Sequence, residues 1–237
     1  MKTFFKWTLG IVVFFFAAAV MSGLIQDKFK NSKSEIALVH VNGILMDSSG
    51  IVRKLSKYRR DSKIKAIIVR IDSPGGAVGP AQEIHDEINR IKESKKIVYA
   101  SLGSVAASGG YYIACAADYV LANPGTLTGS IGAIMAFNNL EELAKKIGVR
   151  PAVIKSGTFK DSGSPLRSLG PKERKLLQNV VDDVHQQFVK AISLGRKLPE
   201  EKVPLMDWLM QSFAFKNLTQ SALPTTGSRL QYLWFPQ

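Results

Sequence analysis

The amino-acid sequence predicts an α/β domain with parallel strands and crossover helices, preceded by an N-terminal transmembrane helix. Runs rich in β-branched residues alternate along the chain with segments of helical periodicity. A long uncharged apolar stretch lies ahead of them. The composition, 46% hydrophobic and 22% charged, is ordinary for a folded protein. At 237 residues the chain can hold one such domain and its appendages.

The N-terminal segment carries Lys2 and Lys6 and then no charged residue from Trp7 through Gln26. At about 1.5 Å per residue, a helix of this length is long enough to cross the core of a bilayer. Three consecutive alanines, 17–19, keep a cleavable secretory signal open as the alternative. Lysines flank both ends of the stretch, so charge alone leaves its orientation undecided. We expect residues 1–30 to be a membrane anchor or a signal.

Strand and helix patterns then alternate. Strands are predicted by β-branched runs, at 35–41, 65–71, 97–102 and 119–122. Helices are predicted at 80–92, 109–117 and 171–192. The first has isoleucines 84, 88 and 91 on one face, and the last has an apolar stripe expected to dock on the domain, formed by Leu176, Val180, Val184 and Phe188. Strands separated by helices pair in parallel through right-handed crossovers.

Composition also limits the chemistry. The single cysteine, Cys115, lies in an apolar helical pattern and is expected in the core, and the three histidines are scattered. We therefore predict no metal site and no cofactor. The net charge of +13 includes basic clusters at 28–33 and 53–65, but aromatic residues are not interleaved with them. A solvated basic face or attraction to anionic lipid is favoured over nucleic acid.

Ser108 lies between two alanines and two glycines at the end of a predicted strand. This pattern fits either a tight, well-packed turn or a nucleophile with glycine amides directed at an oxyanion. Ser130, between glycines in a second glycine-rich turn, is a further candidate, and the alternative for it is a turn hydroxyl that bonds its own backbone. No G-x-S-x-G motif occurs, and neither His40 nor His185 has a local pattern that favours it as a partner. A lysine becomes the candidate base.

Four sequence blocks together resemble the motif blocks of the bacterial signal peptide peptidase A family. They are D-S-P-G-G (72–76), A-S-G-G-Y-Y-I-A-C-A-A-D (107–118), A-N-P-G-T-L-T-G-S-I-G (122–132) and F-K-D-S-G-S-P-L-R (159–167). Family members are Ser/Lys serine proteases with the fold of Clp protease and the crotonases. The resemblance spans residues 35–203 and implies the short-chain type, with a peptidase domain over this range.

Residue by residue, the resemblance implies that Ser108 is the nucleophile and Lys160 the general base. Ser130 hydrogen-bonds the lysine, and the amides of Gly76 and Gly109 form the oxyanion hole. It also implies a homo-oligomer in which serine and lysine come from neighbouring subunits. The catalytic domain is expected on the extracytoplasmic side of the bacterial cytoplasmic membrane, single-pass, degrading remnant signal peptides. Another membrane-protein substrate, or an inactive anchored scaffold, remains an alternative.

A lysine base makes chemical demands. A free lysine, with a pKa of about 10.4, is almost wholly charged at pH 7. It becomes a base only when burial and the exclusion of carboxylates destabilise the ammonium form. Asp161 follows Lys160 directly, and we expect an extended segment to direct the two side chains to opposite faces. Lys155 is the competing lysine.

The C-terminal segment, 204–237, departs from the family pattern. It is apolar and rich in tryptophan, with only Asp207, Lys216 and Arg229 charged. We expect an atypical tail, either divergent or read in an altered frame, that contributes no catalytic residue.

Overall fold

The computed structural model describes Met21 and residues 35–203. The predicted anchor or signal, 1–30, lies outside the described residues apart from Met21, and so does the atypical tail, 204–237. Among the described residues, no helix combines the length and the apolar character that crossing a bilayer requires.

A parallel five-stranded sheet forms the centre of the domain. Its strands are β1 (Glu35–Asn42), β2 (Ile64–Ser73), β3 (Ile97–Ala107), β4 (Tyr119–Leu121) and β5 (Leu127–Gly129). The order is β1-β2-β3-β4, and β5 also pairs with β3. The long β3 therefore has two partners on one side: residues 99–101 pair with β4, and residues 105–107 pair with β5. The predicted α/β class with parallel strands is confirmed.

Helices connect and cover these strands. They are α1 (Ser49–Arg60), α2 (Val78–Glu93), α3 (Gly109–Cys115), α4 (Glu141–Lys146) and α5 (Pro171–Arg196), followed by a 3₁₀ turn, Glu200–Lys202. The predicted helical face of α2 is confirmed, because Ile84, Ile88 and Ile91 are all buried in the core. The predicted strand at 97–102 is too short, since β3 continues to Ala107.

The core lies between the helices and one face of the sheet. In β1, Ala37, Val39 and Val41 are buried, whereas Ile36 and Leu38 on the opposite face are 67% and 52% exposed. This strict alternation arises because α1, α2 and α3 pack on the sheet from the same side. The sequence predicts no element over 53–64, yet the residues up to Arg60 lie in α1, which is anchored by its buried Leu55.

The predicted docking stripe of α5 is wrong in its first half. Leu176 and Val180 are each 43% exposed, while Phe188 and Ile192 are buried. The reason is that α5 packs against α3, which is only seven residues long, so only the C-terminal half of α5 finds a partner. The buried contacts of α5 lie from Phe188 onward, apart from Glu173 near its start.

Candidate active site

Ser108 stands where β3 ends and α3 begins. Its backbone has φ 51° and ψ −121°, a left-handed conformation that a residue with a side chain rarely adopts. Holding it costs about 1–3 kcal/mol, a strain that the surrounding structure has to offset. Its N–H donates to Gly129 O at 2.8 Å, which links this junction to β5. The half-buried serine is thereby held at the carboxyl edge of the sheet.

Gly75 packs directly against this junction. It has φ +97°, and a Cβ placed on it would lie 2.8 Å from Ser108 Cβ and 2.7 Å from Gly109 N. Only glycine therefore permits the two loops to approach so closely. Ser73 shapes the turn: its buried hydroxyl donates to Gly43 O at 2.6 Å and accepts from Gly75 N–H at 3.1 Å.

Gly76 is held against Leu45 by backbone hydrogen bonds on either side of it. Leu45 N–H donates to Gly75 O at 2.9 Å, and Ala77 N–H donates to Leu45 O at 2.7 Å. Because these bonds use its neighbours, the Gly76 N–H is directed away from Leu45. Within residues 35–203 no acceptor takes the N–H of Gly76 or of Gly109. Two amides beside Ser108 are thus free to donate.

Ser130 follows β5 as Ser108 follows β3. The register pairs Ala107 with Gly129, so the next residue of each strand is one of these two serines. Ser130 has φ 52° and is exposed. Thr128, whose hydroxyl donates to Ala106 O at 2.7 Å, helps to hold the short β5 in this register.

Lys160 lies in a series of turns, and the expected extended segment is wrong. Its N–H donates to Gly157 O at 3.2 Å, and Ser162 N–H donates to Phe159 O at 3.2 Å. The glycine and serine content of this segment favours turns over a strand. Lys160 is exposed, and among the described residues its ammonium has no hydrogen-bond or ion-pair partner. In one chain, therefore, Ser108, Ser130 and the two glycines are brought together, and Lys160 is not joined to them.

The competing residues have other roles. Lys155 Nζ donates to Asp161 Oδ1 at 2.6 Å, so this lysine is occupied. His40 is exposed on the edge strand β1, and His185 is half-buried in α5. Cys115 is wholly buried in the core, as predicted, and burial raises the pKa of its thiol to about 12.

Sequence reasoning missed two residues that build the site. Ser73 organises the glycine turn, and Leu45 backs Gly76 from a segment assigned no element. Ser73 could have been singled out because it is a small hydroxyl residue at the end of β2, next to the Pro-Gly-Gly turn. Leu45 had no such signal, since its contact with Gly76 spans 31 residues of chain.

A parallel sheet with a serine at the end of a central strand, beside two glycine amides that have no acceptor among residues 35–203, is typical of domains of the Clp protease kind. Sequence comparison agrees: the profile described as Peptidase family S49 matches residues 90–206, and that of Clp protease matches residues 29–127. The chain belongs to peptidase family S49, as a member of the signal peptide peptidase A group.

Three relatives illustrate this membership. The chain is 45% identical over 177 residues to "Putative protease slr0021" of Synechocystis, across 74% of this chain and 64% of that protein. It is 32% identical over 185 residues to "Putative signal peptide peptidase SppA" of Enterococcus faecium, across 73% and 54%. It is 32% identical over 212 residues to "Serine protease SPPA, chloroplastic" of Arabidopsis thaliana, across 84% and 28%. The chain spans less than two thirds of the length of each of these relatives.

Proposed function

We propose that this chain is a membrane-anchored serine endopeptidase that degrades remnant signal peptides with a Ser108/Lys160 dyad. The observation that carries the proposal is the position of Ser108, beside two glycine amides that have no acceptor among residues 35–203. A turn needed only for packing does not require a strained serine next to unpaired amides. Membership in family S49 supports the same reaction class.

The chemistry is an acyl transfer. Neutral Lys160 takes the Ser108 hydroxyl proton, and the serine oxygen attacks the peptide carbonyl carbon. The N–H groups of Gly76 and Gly109 donate to the oxyanion that develops on the carbonyl oxygen. The lysine ammonium then gives its proton to the leaving amine, and water hydrolyses the acyl-enzyme. Ser130 accepts a hydrogen bond from the lysine and orients it.

We further propose that the dyad forms between neighbouring subunits of a homo-oligomer. Lys160 is exposed and unpaired in the described part of one chain, as a residue donated to another subunit would be. The part of the chain between β5 and α5, which carries Lys160, also exposes large apolar side chains, among them Ile134 at 91% and Ile154 at 102%. A contact between two copies that buries this segment would both desolvate the lysine and cover the apolar surface.

The substrate proposal rests on the surroundings of the serine. Exposed apolar side chains flank the glycine turns: Ile44 and Met46 on either side of Leu45, Val78 just after Gly76, and Leu127 in β5. Such a rim suits an apolar peptide in extended conformation. The Enterococcus relative is named as a signal peptide peptidase, which supports signal peptides as this apolar substrate.

The proposed setting is the bacterial cytoplasmic membrane, with the catalytic domain on the extracytoplasmic side. It rests on the uncharged stretch 7–26 and on the family to which the chain belongs. A single-pass anchor would keep the domain close to the bilayer from which signal peptides are released. Protease accessibility of the domain in spheroplasts tests this topology.

Paired variants test the dyad and its location together. Ser108→Ala and Lys160→Ala should each abolish hydrolysis of an apolar reporter peptide, while the exposed controls Ser104→Ala and Lys172→Ala retain it. Co-expressed in one particle under different tags, the two inactive variants should regain part of the activity, because some sites then combine an intact serine with an intact lysine.

The outcomes separate the alternatives. Activity retained by Lys160→Ala would contradict the dyad, and failure of the mixed particles to recover would place serine and lysine in the same chain. An inactive scaffold would show no labelling of Ser108 by a fluorophosphonate probe. Profiling against signal peptides and against loops of membrane proteins separates the two substrate classes.

A further inference from the structure

Four charged side chains surround the turn that carries Lys160. The Arg167 guanidinium donates from Nε to Asp161 Oδ2 at 2.9 Å and from Nη2 to Asp161 Oδ1 at 2.8 Å. It also donates from Nη1 to Glu173 Oε2 at 2.8 Å, and Nη2 bonds Glu173 Oε1. Lys155 Nζ donates to Asp161 Oδ1 at 2.6 Å. The cluster therefore holds two cations and two carboxylates, with Arg167 bridging the carboxylates.

Both carboxylates are substantially buried and fully engaged. The side chains of Asp161 and Glu173 are only 16% and 8% exposed. Hydrogen bonds from Arg167 and Lys155 hold the pKa of the Asp161 carboxyl well below its ordinary value. Arg167, with the Gly170 N–H, lowers the pKa of Glu173 to about 2. Both groups are consequently ionised and paired throughout the pH range of a lysine base.

Asp161 is the carboxylate that matters to Lys160, because the two residues are adjacent in a turn. In a turn, strand alternation does not separate neighbouring side chains as it does in an extended segment. An opposite charge within about 4–6 Å favours the charged form of an amine by about one to three pH units. A free carboxylate at Asp161 would therefore oppose the neutral amine that the reaction needs.

We propose that Arg167 is a positioning residue for the Lys160 base. With Lys155, it occupies the Asp161 carboxylate, and through Glu173 it ties the turn to the start of α5. Lys160 is thereby left without a carboxylate partner. This inference rests on the proposed Ser/Lys function and adds to it the residue that keeps the base free.

The carboxylate of Glu141, in α4, is occupied as well. Glu141 Oε2 accepts from Ser168 N–H at 3.0 Å and from the Ser168 hydroxyl at 2.9 Å. Glu141 also pairs with Lys145 at 3.0 Å. Loss of Arg167 would release the carboxylates of Asp161 and Glu173, and of these two Asp161 is the one adjacent to Lys160 in the chain.

The test is the pH dependence of kcat/KM for Arg167→Ala in the full-length protein. In the wild type, kcat/KM should rise with pH as Lys160 loses its proton. We expect the inflection of this rise to move to higher pH by about one to three units in the variant. Arg174→Ala, which removes an exposed arginine seven residues further along the chain, should leave the inflection in place. Adding Asp161→Asn to Arg167→Ala should return the inflection toward its original pH, because the released charge is then gone. If Arg167 had a purely structural role, adding Asp161→Asn would not return the inflection to its original pH.

Each outcome bears on the proposal. An unchanged inflection in folded Arg167→Ala overturns it. If that variant is folded but inactive at every pH, recovery in the double variant supports the proposal and lack of recovery overturns it. If Arg167→Ala does not fold, Lys155→Met removes the second cation and should cause a smaller alkaline shift, and no shift would overturn the proposal.

The experiment separates this inference from the function on which it rests. Full activity in Ser108→Ala or Lys160→Ala would contradict the dyad itself. Inactive Ser108→Ala and Lys160→Ala, together with an unmoved inflection in Arg167→Ala, would leave the dyad standing and remove only the role of Arg167.

Discussion

Ser108 and Ser130 lie side by side at the ends of two neighbouring parallel strands. The Ser108 N–H donates to Gly129 O at 2.8 Å, and both serines have a positive φ that is unusual for a residue with a side chain, 51° and 52°. Ser108 is half-buried beside Gly75, whereas Ser130 is exposed. The pairing of β3 with β5 therefore presents two hydroxyls at one edge of the sheet, in different environments.

Ser130→Ala should weaken catalysis without abolishing it. If Ser130 orients Lys160, its loss removes the hydrogen bond that the ammonium formed in the transition state donates to it, and such a bond to a charged group is worth about 1.5–3 kcal/mol. The expected fall in kcat/KM is about 10- to 100-fold. Steady-state kinetics on a reporter peptide measures it, with Ser104→Ala as the matched control. Unaltered kinetics would show that Ser130 is only a turn residue.

Gly75→Ala should inactivate the enzyme. The new Cβ would lie 2.8 Å from Ser108 Cβ in a residue with φ +97°, so the serine or the glycine turn has to move. Labelling of Ser108 by a fluorophosphonate probe should fall sharply, and the melting temperature should drop. Gly79→Ala is the control, because Gly79 lies in the first turn of α2 and a Cβ there meets nothing within 4 Å. Normal labelling of Gly75→Ala would show that the close packing is not needed.

Cys115 should be inert in the native protein. Its thiol is wholly buried, and its pKa of about 12 leaves almost no thiolate at neutral pH. We expect no reaction with iodoacetamide at pH 8 in native buffer and complete reaction in denaturant, as measured by intact mass. Because the chain has a single cysteine, any native labelling would contradict its core position directly.

The turn that carries Lys160 should become labile in acid. Arg167 lowers the folded pKa of Glu173 to about 2 from an ordinary 4.5. A carboxylate whose pKa is lowered in the folded state contributes stability that is present above its ordinary pKa. This stability is lost as the pH falls through the folded-state pKa. Between about pH 4.5 and 2, limited pepsin cleavage in residues 155–173 should therefore increase. Glu173→Gln should show this susceptibility already at pH 5, and equal cleavage at all pH values would contradict the ion pairs.

Much of the fold could be predicted because its signals are local. Isoleucines at 84, 88 and 91 report the buried face of α2, and the β-branched run at 35–41 marks β1 within one residue. Local signals failed where burial depends on a partner. The apolar stripe of α5 is regular in sequence, yet Leu176 and Val180 stay exposed because α3 is too short to reach them.

The amino-acid sequence by itself determined the α/β class, the core face of α2 and, through four motif blocks, the peptidase family. It also placed Ser108 at a junction of strand and helix, because small residues and glycines there admit a strained turn. Only the tertiary structure decided that Gly75 packs on Ser108, that Ser130 lies beside it, and that Arg167 holds Asp161. The physical reason is that periodicity reports the burial of one element, whereas these contacts depend on strand register and on the paths of loops distant in the chain.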